Sequence, residues 1–180
     1  MSPLKQDRRY THRSAAFLGM VATTFLLITN FSLATADAQP GLEVVQMPSL
    51  CAMIARRAAG FENAYSSRIA VEVLRQGDSY LASLSACNVT LYTAGDDFPA
   101  STFLRMAHTG ISLQEADVAL KLGYAALRAK LMIRAKAYFV EANGSAGHVK
   151  SDSTADQQVA AFDIMKKSKQ EVDRLEKEGF

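Results

Sequence analysis

The sequence predicts an all-α fold: a single-domain bundle of four to five helices, with one long helix near residues 113–142 and a linker-joined C-terminal helix. Three observations predict it. Apolar residues recur three and four positions apart from Met47 to Leu91, the spacing that puts them on one face of successive helices. Ser112-Leu113-Gln114-Glu115 has the form of a capping box, in which the Ser112 hydroxyl accepts from the Glu115 amide, and no proline follows it. A Gly- and Ser-rich stretch from Asn143 to Ser153 then leads into a charged run with a narrow apolar stripe.

With 180 residues there is room for one domain. Hydrophobic residues make up 49% and charged residues 21%, which excludes wholesale disorder. A net charge of +2 excludes the strongly basic footprint of a dedicated nucleic-acid binder.

Residues 1–38 read as a signal peptide. Lys5, Arg8, Arg9 and Arg13 precede the uncharged run Ala15 to Leu33, and Ala34-Thr35-Ala36-Asp37-Ala38 offers small-residue cleavage sites after Ala36 and Ala38. The alternative is an uncleaved anchor spanning residues 15–33, which Thr23, Thr24, Thr29, Asn30 and Ser32 dilute. The segment holds four of the 20 basic residues and two of the 18 acidic ones, so residues 39–180 carry 16 of each. The expected location is exported, periplasmic or secreted.

Residues 39–143 read as a disulfide-stapled helical domain. Gln39-Pro40-Gly41 marks a loop. Met47, Leu50, Cys51, Ile54, Ala55 and Ala58 predict a helix that starts at Pro48 and stops at Gly60. Phe61, Tyr65, Ile69 and Val73 predict a second ending at Gly77, and Tyr80, Leu84, Cys87 and Leu91 a third ending at Gly95. Residues 88–93 alternate and are β-branched, so they read equally as a short strand. Cys51 and Cys87 permit only one pairing, and in an oxidising compartment they predict a disulfide joining two helices. A reactive thiol or a metal ligand is the competing reading, but no second Cys or His stands near either cysteine. Asp96-Asp97-Phe98-Pro99 reads as a turn, followed by a brief helix from Ser101 to His108.

The 113–142 run carries two apolar stripes at 100° per residue. Leu113, Ala116, Leu120, Tyr124, Leu127, Leu131, Ala135, Tyr138 and Ala142 form one; Val118, Leu122, Ala125, Ala126, Ala129, Ile133 and Val140 form the other, on the opposite side. A helix apolar on two sides is central in its bundle or packs against another molecule. Val118, Leu122, Ala126, Ile133 and Val140 are therefore the candidate interface, for a partner protein or for a second copy. Residues 144–153 read as a flexible linker, and 154–180 as a charged amphipathic helix with Val159, Phe162, Met165, Val172 and Leu175 as its stripe.

No nucleophile elbow, phosphate loop or haem-attachment motif is present in the sequence, and no cofactor, metal or nucleic acid is expected. The expected function is an exported, non-enzymatic interaction or structural subunit, of the kind found in envelope, secretion or pilus-type assemblies. The alternatives are a small inhibitor, immunity protein or chaperone, and last a hydrolase using Asp96, Asp97 and Glu115 near His108. Membrane association is expected only through residues 15–33 if they stay attached.

Overall fold

The computed structural model describes residues 51–97, 102–149 and 153–180, all within one unit, Gln46–Phe180. The signal segment, the loop at Gln39-Pro40-Gly41, the start of the first expected helix and Phe98-Pro99 lie outside the described residues. Five helices follow in order: α1 (Ile54–Ser67), α2 (Ala70–Asp97), α3 (Thr102–Arg128), α4 (Met132–Gly147) and α5 (Ala155–Lys177). Among the described residues there is no strand, and the fold is an all-α bundle.

Each helix packs antiparallel on its neighbour in sequence, and α5 also reaches α3. Phe61 of α1 stacks on Tyr80 of α2 at 5.7 Å between ring centres. Asn88 of α2 meets Ser112 of α3, Tyr124 of α3 meets the edge of Phe139 of α4 at 5.2 Å, and Asn143 of α4 meets Ser168 of α5. The core runs along these seams, through Phe61, Val73, Tyr80, Leu84, Leu91, Val118, Leu122 and Phe139 to Leu175, all buried.

The expected 113–142 helix is two helices. α3 ends in a Schellman turn: the Leu131 amide donates to the Ala126 carbonyl at 2.9 Å, and the Lys130 amide to the Leu127 carbonyl at 3.0 Å. Lys130 supplies the left-handed residue that this turn needs, at φ 60°. The reversal resolves the problem of two apolar sides. α3 buries its Tyr124 side against α4 and its Leu122 side against α1 and α2, where Leu122 and Phe61 both close on Gly77.

Other boundaries differ for related reasons. Gly60 and Gly77 do not stop helices, since α1 and α2 run through them and break instead at Arg68, again left-handed at φ 60°. Residues 88–93 are helical, because α2 continues unbroken to Asp97. Ser112 and Glu115 do not cap a helix start: α3 has already begun at Thr102, and both side chains turn to α2. Cys51 lies in the turn ahead of α1, not on it. α4 takes Gly144 to Gly147 out of the expected linker. The start of α5 is as expected at Thr154, with a complete capping box to Gln157.

Candidate functional site

The disulfide joins Cys51 to Cys87 across a Cα–Cα distance of 4.9 Å, and no free cysteine is present among the described residues. Both half-cystines are buried, so the bond is part of the core. It is compatible with an oxidising compartment. No helix among the described residues is long and apolar enough to cross a membrane.

The five candidate interface residues do not share a face. Val118, Leu122 and Ala126 belong to α3 and are buried in the core, whereas Ile133 and Val140 belong to α4 and are 77% and 54% exposed. The Schellman turn that separates α3 from α4 also divides the expected stripe.

Of the catalytic candidates, Glu115 and His108 stand apart along α3. Glu115 is buried and accepts hydrogen bonds from Ser85 and from the Asn88 amide, the latter at 2.9 Å. Asn88 also donates to Ser112 at 3.1 Å. These four residues form a paired polar cluster between α2 and α3, which fixes how the two helices meet. His108 lies seven residues back along α3, about 10 Å at 1.5 Å per residue, with its ring beside Tyr92 at 5.9 Å. Asp96 and Asp97 end α2. Among the described residues no three of His, Cys, Asp and Glu are grouped to hold a metal ion. Asn88 and Asn143, the asparagines of the two Asn-x-Ser/Thr triplets, both spend their amides on internal hydrogen bonds.

Two further charged clusters tie helices together. Lys121 of α3 reaches Glu62 of α1 at 3.1 Å and Asp117 at 3.0 Å, over the rings of Phe61 and Tyr65. Burial alone would lower its ammonium, but the two carboxylates outweigh burial and hold it above its ordinary value. Asp78 of α2 accepts from both Arg134 and Tyr138 of α4. Burial, and then the bond to Asp78, push the Tyr138 phenol up to about 12. Tyr80 shifts the same way, through burial first and then the charges of Glu62 and Asp117.

An open surface concavity lies where α5 meets the end of α4. Asn143 donates to the Met165 carbonyl at 3.1 Å and to Ser168 at 3.3 Å, and Ser168 in turn donates to the Ile164 carbonyl. This polar stitch fixes the middle of α5 against α4. Toward the start of α5 the two elements flank an open cleft of about 350 Å³, lined by Ala146, Gly147, Val149, Gln158, Ala161, Phe162 and Met165. No ionisable side chain lines it. The face α5 buries is Ala161, Ile164, Ser168 and Leu175, one step round from the expected stripe. Val159 and Phe162 are thereby left 68% and 69% exposed, with Phe162 on the rim of the cleft.

Comparison with known families, curated proteins and solved structures finds no match. The functional reading therefore rests on the residues themselves. The sequence pointed to a stripe that the turn between α3 and α4 divides, and it passed over the cleft. The signal it held was the run Val159 to Met165, where Ala161 and Ile164 compete with Val159 and Phe162 for the buried side.

Proposed function

We propose that this chain is an exported, non-enzymatic interaction module that docks an apolar segment of a partner protein in the α4–α5 cleft. The observation that carries the reading is the cleft itself. Its lining is apolar and amide in character, with an aromatic ring, a flexible methionine and three small residues, and its aromatic rim is exposed. Such a surface gives a partner shape and apolar area, the features of an interface core. It provides no acid, base or nucleophile. The disulfide and the reading of residues 1–38 as a signal peptide both support work outside the reducing cytoplasm.

The test is a photo-crosslinking side chain placed at Phe162 in the producing cell, with the exposed Gln170 further along α5 as the control position. The expected result is a discrete crosslinked protein at 162 and none at 170. Purified, that protein should bind the wild-type chain and bind Phe162→Asp at least about tenfold more weakly, the loss expected when a charge enters an interface core. Equal crosslinking at both positions, or undiminished binding by Phe162→Asp, rejects the cleft as the docking site.

A further inference from the structure

On α4 and α5 the charges that flank the cleft are of one sign. With α5 at 100° per residue, the charged side chains of residues 155–169 that fall within about 40° of the line through Phe162 are Lys166 and Lys169. Both are exposed. Lys166 follows Phe162 by about 6 Å along the helix and Lys169 by about 10 Å. The residues three and four positions from Lys166 are Phe162, Asp163, Lys169 and Gln170, so Asp163 is the one acid in its reach on α5. Lys167 holds that acid at 2.6 Å. Lys166 therefore has no ion-pair or hydrogen-bond partner among the described residues. Lys169 pairs only distantly, with the exposed Asp173 at 3.9 Å. Asp156 lies half a turn round α5 from Met165, and Glu141, the one acid of α4, lies about 120° round that helix from Gly147.

We propose that the occupant of the α4–α5 cleft is an acidic peptide segment of a partner protein. It seats one bulky apolar side chain against Phe162 and Met165, and presents one or two carboxylates about 6–10 Å further along, facing Lys166 and Lys169. The inference rests on the cleft being a docking site and adds the chemistry of what docks there. Two like charges one turn apart on a helix repel each other. A carboxylate of the occupant relieves that repulsion and pairs the cation that has no partner of its own. A basic or neutral segment with the same anchor leaves the repulsion in place, so the lysines select among anchors of equal size. An anionic lipid surface would meet the same two lysines, but two features favour the peptide. α5 carries five acids and five bases, so no broad basic face surrounds the pair. The apolar surface is also a concavity, lined in part by the small residues Ala146, Gly147 and Ala161, which suits an inserted side chain and not a plane.

The test is selection of random displayed peptides on the oxidised protein, expressed from its full sequence and recovered in the form the cell yields, with counter-selection on Phe162→Asp. The expected result is enrichment of peptides that combine a bulky apolar residue with an excess of Asp and Glu over Lys and Arg. Made synthetically, the best of them should bind Lys166→Glu with Lys169→Glu at least about tenfold more weakly than wild type, with an unchanged circular dichroism spectrum. Exchanging its acids for lysine should restore binding to that double variant, and added salt should weaken binding to wild type. Each failure has its own meaning. No peptide that distinguishes wild type from Phe162→Asp removes the cleft as a docking site, and this inference with it. Peptides that depend on Phe162 but show no acidic excess, or that bind the double variant undiminished, leave the cleft standing and overturn the acidic segment. Binding of wild type to phosphatidylglycerol vesicles, lost in the double variant, assigns the lysines to a lipid surface and overturns it as well.

Discussion

Gly77 and Gly123 occupy positions where a methyl group has no room. A Cβ on Gly77 would stand 2.9 Å from Phe61 and closer still to Leu122; on Gly123 it would stand 2.5 Å from the Phe139 ring. Gly110 also lies inside a helix, yet nothing stands within 4 Å of its would-be Cβ. The same change therefore has opposite signs. Gly77→Ala and Gly123→Ala should each cost about 1–3 kcal/mol in urea unfolding, because overpacking outweighs the gain in helix propensity. Gly110→Ala should stabilise by about 0.5–1 kcal/mol, since propensity acts there unopposed. Tyr138 gives a pH dependence at the same scale. Its phenol, ordinarily near 10, is raised to about 12 in the fold, so the neutral form is the one the structure holds. That contribution is complete below pH 10 and is lost as pH rises through 12. The unfolding midpoint should fall across this range, and Tyr138→Phe should make the fall shallower.

The break between α3 and α4 hangs on one residue. Lys130 adopts φ 60°, a conformation that glycine reaches without penalty, while the two amide bonds of the turn fix the reversal. Lys130→Gly should therefore leave the fold intact and stabilise it by up to about 1 kcal/mol. Lys130→Pro demands φ near −65° and removes the amide that donates to Leu127, so it should cost about 3 kcal/mol or more in the same unfolding measurement. This turn also marks where the sequence was readable and where it was not. Helical periodicity, the Thr154 cap and the cysteine pair are local or countable signals, and each matches the structure. A lysine in the left-handed region carries no such mark, because its cost is met by the packing of α4 back on α3. Glycine misled in the other direction: Gly60 and Gly77 look like stops, and α1 and α2 run through them. Both stripes of residues 113–142 are buried on α3, but on α4 only the side of Ala135, Tyr138 and Ala142 is, because the run is a hairpin and not one helix. The cleft was hidden for the same reason, since which side of α5 is buried depends on α4 and not on α5 alone.

Across the whole molecule, contacts run between sequence neighbours, and α1 packs chiefly on α2. Such an arrangement leaves α1, the first of the described helices, tied to α2 and α3 by few contacts: the Phe61–Tyr80 ring contact, the Arg57 guanidinium donating to Ser79 and Ser83, the Lys121–Glu62 pair, and the disulfide. The cross-link closes a loop of 36 residues, which in the chain-entropy account contributes about 4 kcal/mol by restricting the unfolded chain. Its loss should therefore lower global stability, and the local effect should be uneven. Cys87 lies mid-way along α2 and stays packed against α3 through Asn88 and Leu91, whereas Cys51 tethers the turn that leads into α1. In Cys51→Ser with Cys87→Ser, hydrogen exchange should accelerate first in α1, while the amides of α3 and α4 keep protection close to the remaining global stability. Urea unfolding of the same variant should show a loss of about 4 kcal/mol. A uniform rise in exchange across all five helices would mean instead that α1 opens only with the rest of the bundle, and that the disulfide supports the whole core and not one end of it.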